Sequence, residues 1–234
     1  MKPQEIVPGL YGLDFGGVNA FLLAEEQELA LIDCGFPGSA GKVLEAIGAI
    51  GRQPPELRRI VLTHCHPDHA GGLAELKAAT GAIALAHPLD AALIRLGQGM
   101  RPLQAAPGLL NRLLFNLAIR PVDPQIPPAA IEEEIDEGAY LPIGGGMHVV
   151  HTPGHCAGQI ALLWQKHGGV LFAGDAAVHF LGLTEAIAYE DLAAGRRSLR
   201  KLAALNFAVA CFGHGRPLKH GADRAFRKLA YHRR

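Results

Sequence analysis

The segment "VLTHCHPDHAGG" (61–72) constrains this 234-residue chain more than any other. His64, His66, Asp68 and His69 stand within six positions, directly after an apolar run. Imidazoles and a carboxylate buried there without a partner would be costly to keep, so they are expected to converge on a cation. With "LRRIVLTH" read as a strand ending at His64, alternation of side chains places His64 and His66 on one side and Cys65 on the other. Pro67 suits the first turn of a helix, which sends Asp68 and His69 in a different direction. Ala70, Gly71 and Gly72 are small enough to let that helix start close against the site.

Further ligand-type residues follow apolar strands later in the chain: His155 in "HTPGHCAG", Asp175 in "VLFAGDAA" and His214 in "ACFGHGRP". Each is flanked by Gly or Pro, which lets the backbone turn sharply. Loops at the ends of strands are where sites assemble. Together the seven residues predict two adjoining sites that share one aspartate. His87, His148, His167, His220 and His232 read as ordinary satisfied histidines. His151 and His179 lie nearer the motifs and are candidates for a substrate pocket.

The surroundings read as two passes of strands and helices. "LYGLDF", "VNAFLLA" and "ELALIDCG" suggest an antiparallel meander, and "GSAGKVLEAIGAIG" a helix over 39–50. A helix from Pro67 to a stop at Gly81 and a strand "AIALAH" follow, then helical "PLDAALIRLG". Residues 97–137 are Pro-rich around one amphipathic stretch, 109–119, and read as an insert. A connection of this length usually serves as a lid or a linker. Strands "GMHVVHT", "GQIALLWQ" and "GGVLFAGD", a helix over 190–205, the strand "FAVACFGHG" and a last helix after Gly221 complete the second pass. Two sheets face to face with helices outside would bury this much apolar strand, giving a single α/β domain over 1–234.

Composition removes several classes of function. Apolar residues make up 49% and charged residues 19%, so the chain is globular. Lys+Arg and Asp+Glu balance at 22 each, so no bulk charge attracts nucleic acid or an anionic membrane. The basic C-terminal residues Arg224, Arg227, Lys228, Arg233 and Arg234 read as the solvated face of a final helix. Four cysteines are too few for a disulfide scaffold. No signal peptide or apolar stretch of membrane-spanning length is visible, so a cytoplasmic protein with reduced thiols is expected.

"THCHPDHAGG", "TPGHCAG", "FAGD" and "GHG" resemble, in order, the motifs of the metallo-β-lactamase superfamily in its glyoxalase II and lactonase-like branch. The two passes of strands resemble its αββα sandwich of two mixed sheets with outer helices. The resemblance covers nearly the whole chain except the insert. It implies two divalent metal ions, zinc first and iron or manganese as alternatives. His64, His66 and His155 would hold one, Asp68, His69 and His214 the other, with Asp175 between them. Asp33 in "ALIDCG" matches an acidic position that supports the site from behind. Read from its own surroundings, it is equally a cap for the helix after Ser39.

The resemblance further implies hydrolysis by a hydroxide shared between the metals, with Asp68 the candidate to hold and pass its proton. Drug-hydrolysing members lack an aspartate at the bridging position, so Asp175 disfavours penicillins. Di-iron redox members carry Glu where His66 stands. Quorum-quenching lactonases place a Tyr shortly after the bridging aspartate, and "DAAVHF" has none. The chain ends about twenty residues after His214, so no glutathione-binding extension is expected. No segment is basic enough for a tRNA-processing arm. The reading that remains is a hydrolase of a small carbonyl ester, lactone or thioester. A phosphodiesterase is the alternative, followed by a mononuclear iron oxygenase acting on a persulfide, then a non-enzymatic metal-binding module. Apolar residues of the insert, Phe115 among them, would form an acyl-binding wall or a homodimer contact.

Overall fold

The computed structural model describes residues 2–231, so His232, Arg233 and Arg234 of the basic terminus lie outside the described residues. Strands β1 (Gln4–Val7), β2 (Leu10–Asp14), β3 (Asn19–Ala24) and β4 (Leu29–Ile32) form the expected antiparallel meander. β5 (Leu57–Val61) and β6 (Ile83–Ala86) extend it in parallel. Parallel neighbours need long crossovers. These are α1 (Ala40–Ala49) before β5, and α2 (Pro67–Ala70) with α3 (Leu73–Thr80) before β6.

After α4 (Pro88–Arg95) the chain enters the insert, with β7 (Gln104–Ala105) and α5 (Leu109–Leu114), which continues as π-helix over Phe115–Ile119. The last part of the expected insert belongs to the core instead. Ile126, Ile131 and Ile135 are buried, and β8 (Glu133–Glu134) pairs in parallel with β6 as the edge of a seven-stranded sheet.

The second sheet is built from β9 (Tyr140–Leu141), β10 (Met147–His151), β11 (Ile160–Trp164) and β12 (Val170–Phe172). A hairpin of β13 (Val178–His179) and β14 (Leu183–Thr184) follows, then β15 (Ala188–Tyr189), which pairs with β7. Helix α6 (Leu192–Ala203) leads to β16 (Val209–Cys211), which lies parallel to β12, and α7 (Ala222–Tyr231) closes the chain.

Both faces of the central strands are apolar, and alternation sorts them into layers. Along β3, Phe21 and Leu23 point between the sheets and Leu22 points out under α1 and α3. Along β11, Ile160, Leu162 and Trp164 point inward and Ala161 and Leu163 point out toward α6 and α7. The outcome is the expected αββα sandwich.

Two local departures shape the site. β5 ends at Val61, not at His64. Leu62 still donates its N–H to the Leu85 carbonyl at 2.9 Å, but the Thr63 N–H goes to the Asp33 carboxylate at 2.7 Å, so a side chain replaces the sheet ladder. His64 to His66 therefore form an irregular loop off the sheet edge. The helix expected over 67–81 breaks at Gly71 and Gly72 because the second glycine presses on the loop after β4. A Cβ on Gly72 would lie 2.4 Å from the Cys34 carbonyl oxygen. The stop at Gly81 is as expected, in the left-handed conformation at φ 72°.

The contact at Gly72 is with backbone that cannot rotate away. Gly72→Ala is expected to destabilise the fold by about 1–3 kcal/mol. Urea unfolding with an unchanged m-value reads this directly, and a parental midpoint would show that the α2–α3 junction is not close-packed.

Candidate metal centre

Asp33 follows β4, His64 to His69 follow β5, His155 lies between β10 and β11, Asp175 follows β12 and His214 follows β16. These loops meet at one edge of the sandwich, where the two sheets are tied together. Ile160 donates its N–H to the Thr63 carbonyl at 2.8 Å, and Asn19 donates through Nδ2 to the carbonyls of Phe212 (2.9 Å) and Gly215 (2.7 Å).

All seven expected residues come together. His64, His66 and His155 form one group whose ring nitrogens lie within 4.8 Å of one another, and Asp68, His69 and His214 form another. Asp175 stands between them. Its Oδ2 is 3.5 Å from His155 Nε2 and 3.0 Å from His214 Nε2, and its Oδ1 is 3.7 Å from His69 Nε2. Asp68 Oδ2 is 3.3 Å from His214 Nε2 and 3.5 Å from His69 Nε2.

The histidines are oriented from behind. His155 Nδ1 donates to the Ala188 carbonyl at 2.8 Å, which turns Nε2 into the site, 2.9 Å from His66 Nδ1. His69 Nδ1 lies 3.0 Å from Asp33 Oδ2, and His64 Nδ1 lies 3.0 Å from Thr63 Oγ1. Asp33 accepts from the Thr63 hydroxyl at 2.8 Å as well as from the Thr63 N–H. It is buried, sits at φ 59°, and makes none of the capping bonds of α1, whose first turn lacks a side-chain cap. The geometry thus favours support of the site over helix capping.

The two groups differ electrostatically. Burial, reinforced by neighbouring imidazoles, pushes His64 well below the usual range and His66 down to about 3, which favours the neutral ring with its one lone-pair nitrogen. On the other side burial opposes charge, but Asp68, Asp175 and Asp33 outweigh it and raise His69 to about 9. Burial likewise opposes ionisation of Asp68 and Asp175, yet the adjacent imidazoles hold both carboxyls well below the usual carboxylate range.

Four buried polar atoms at this edge have no hydrogen-bond partner: His64 Nε2, His66 Nε2, His69 Nε2 and Asp175 Oδ1. Buried polar atoms are seldom left so, and these converge from the His64–His69 loop and the loop after β12. The donor set of imidazole and carboxylate fits divalent cations of the zinc type.

A family model described as the metallo-beta-lactamase superfamily matches residues 13–214. The chain belongs to that superfamily. Among curated relatives, the probable metallo-hydrolase YflN of Bacillus subtilis is 26% identical over 92% of this chain and 86% of its own length. The uncharacterized protein YobT of the same organism is 30% identical over 68% of this chain, an alignment that spans only 61% of YobT. Among solved structures, a metallo-beta-lactamase of Cronobacter sakazakii carrying mutations in its HARLDQ motif superposes with TM-score 0.72. It is 25% identical and covers 92% of this chain and 80% of its own.

In this superfamily member a cavity of about 680 Å³ opens onto His155, Asp175 and His214. Leu110, Leu114, Ala118 and Ile119 of the insert form one wall, and Val178 and Phe180 of the β13–β14 hairpin form the other. None of the three candidate pocket residues lines it. His179 alternates to the far side of its strand, where Nδ1 donates to the Arg216 carbonyl at 2.8 Å. His151 stacks on His87 with ring centroids 4.2 Å apart and lies 2.9 Å from the Ala157 carbonyl. Phe115 falls out of phase because the turn there is a π-helix. Sequence reasoning passed over Thr63, Asn19, Val178 and Phe180, whose residue types carry no ligand signal. It also passed over Gly213, where a Cβ would lie 2.0 Å from Asp175 Oδ1.

Zinc at a hundredfold excess over its dissociation constant is expected to add about 2.7 kcal/mol to stability, seen as a raised Tm against a chelated control. Gly213→Ala, whose methyl would displace Asp175, should lose most of that gain. Equal Tm values for the parent with zinc and with chelator would refute metal binding at this edge.

Proposed function

We propose that this chain is a dinuclear metal hydrolase of carbonyl esters, lactones or thioesters whose acyl part is apolar and uncharged. The superfamily makes metal-dependent hydrolysis the class of reaction. One observation carries the narrower reading: of the residues lining the cavity, none is Lys or Arg, while six of them supply its two facing apolar walls. A phosphodiester or other anionic group would meet no Lys or Arg there, and beside the imidazoles of His155 and His214 stand the carboxylates of Asp175 and Glu185. An acyl chain would meet Leu110, Leu114, Val178 and Phe180.

His64, His66 and His155 would hold one cation and Asp68, His69 and His214 the other, with the two oxygens of Asp175 facing both groups. Zinc suits this donor set, and iron or manganese are the alternatives. When bound, such a pair supplies Lewis acidity and acidifies water to a pKa of about 7. The chain itself does the positioning. Ala188 and Asp33 fix the ring orientations of His155 and His69, and the apolar walls set the carbonyl over the Asp175 edge and keep bulk water away. Asp68 is the most exposed of the three site carboxylates, at 24% against 1% for Asp33 and 5% for Asp175, and it touches both His69 and His214. It is the group placed to take the proton of the attacking water and return it to the leaving oxygen or sulfur.

The test is hydrolysis of a medium-chain lactone and an aryl phosphodiester side by side, with zinc- or manganese-loaded protein and a chelated control. A chelator-sensitive lactone rate far above the phosphodiester rate is expected, and the reverse order would make the protein a phosphodiesterase. Measured on protein whose metal content matches the parent's, Asp68→Ala should lower the lactone rate by roughly 10²–10⁴. Retention of full activity would remove Asp68 from the proton path. Leu114→Ala should shift preference toward longer or bulkier acyl chains, and an unchanged profile would remove the insert from substrate selection.

A further inference from the structure

Behind the three-histidine group lies a second, partly buried cluster, and its cation, Arg101, comes from the insert. Arg101 extends beneath the ligand loops. Its Nη1 donates to Asp90 Oδ1 at 3.0 Å and to Glu190 Oε1 at 3.3 Å, and its Nη2 donates to the Leu89 carbonyl. Each carboxylate uses its other oxygen on a ligand loop. Asp90 Oδ2 accepts the N–H of Cys65, the residue between His64 and His66, at 3.0 Å. Glu190 Oε2 accepts the N–H of Ala157, two residues after His155, at 3.0 Å. Asp90 also accepts from the Cys156 thiol, at 3.1 and 3.3 Å to its two oxygens. Asp90 is fully buried, and the packing around it is tight enough that a Cβ on Gly158 would lie 2.4 Å from its Oδ1.

We propose that Arg101 is a positioning residue for the three-histidine metal group, acting through Asp90 and Glu190 to hold the His64–His66 loop and the His155 loop at one mutual distance. The inference rests on the metal reading above. A guanidinium is suited to this because its planar fork meets two carboxylates in fixed directions, whereas an ammonium is a point charge that sets no relative orientation. Without Arg101, two carboxylates would face each other in a poorly solvated space and separate, and the backbone segments they hold would separate with them. The Asp68–His69–His214 group makes no direct hydrogen bond to Arg101, Asp90 or Glu190 among the described residues, and it meets this cluster through backbone alone, where His69 and Ala70 donate to the His66 carbonyl. Its orientation comes from Asp33 and from the loop after β16. Loss of Arg101 is therefore expected to weaken the three-histidine site far more than the other.

The test is zinc affinity by competition with a chromophoric chelator, with circular dichroism to confirm folding. Arg101→Ala in a His214→Ala background, which leaves the three-histidine group, should weaken zinc binding roughly 10- to 100-fold, the usual cost of losing a partner that orients metal ligands. The same change in a His155→Ala background, which leaves the other group, should move it by less than about threefold. Arg101→Lys keeps the charge and is read in the same way. Should Arg101→Ala not fold, Arg101→Lys decides, and a partial loss confined to the His214→Ala background is expected. Equal effects in both backgrounds, or none in either, would overturn the proposal. A parent chain that binds no zinc under these conditions would instead overturn the metal reading, and the inference with it.

Discussion

The Asp33 carboxylate is the interaction on which the rest of the metal edge depends. It takes the N–H and hydroxyl of Thr63 and faces Nδ1 of His69, so one buried side chain ends a strand, launches the histidine loop and orients a ring. Ending β5 at Val61 frees the next residues from the sheet ladder. Only then do His64 and His66 face the site without the strict alternation of a strand. The left-handed backbone at Asp33 is tolerated because its side chain is so fully engaged.

Once these loops are fixed, the sandwich itself concentrates polar atoms at one edge. β4, β5 and β6 run parallel in one sheet, and β12 and β16 run parallel in the other, so their following loops emerge together. Hydrogen bonds from Asn19 to the loop after β16, and from Ile160 to Thr63, prevent the sheets from opening there. The apolar layer between the sheets ends against imidazoles whose inner nitrogens find no protein partner. A set of imidazole and carboxylate lone pairs converging on one point is the donor arrangement that suits a divalent cation.

Much of this was visible in the sequence, and the reasons are local. The central strands were readable because they carry apolar residues on both faces, whereas two-residue strands such as β8 carry no such pattern, and the His64–His69 cluster was readable because four ligand-type residues stand together. His155, Asp175 and His214 were readable as ligand-type residues after apolar runs. What stayed hidden depends on phase and distance. Val178 and Phe180 reach the cavity while His179 does not, because a strand alternates. Leu114 and Ile119 line it while Phe115 does not, because the helix widens to π geometry between them. Asp90 sits in what reads as an ordinary helix, "PLDAALIRLG", and Arg101 in an irregular run. Nothing in either stretch announces that they meet.

The insert thus does two jobs from one segment. Its helical part walls the cavity, and its entry places Arg101 under the ligand loops. A lid anchored only at the surface would trade freely between conformations, since exposed leucines such as Leu109 and Leu117, at 87% and 68%, gain little from one pose over another. Anchoring the same segment through a half-buried guanidinium changes that balance, because lifting the entry would strand Asp90 and Glu190 without their counter-charge. The wall can therefore vary in its apolar side chains, and so in what it admits, while the root stays fixed. Under the proposed reading, the apolar wall would vary without disturbing the His64–His66 and His155 loops that Arg101 reaches through Asp90 and Glu190.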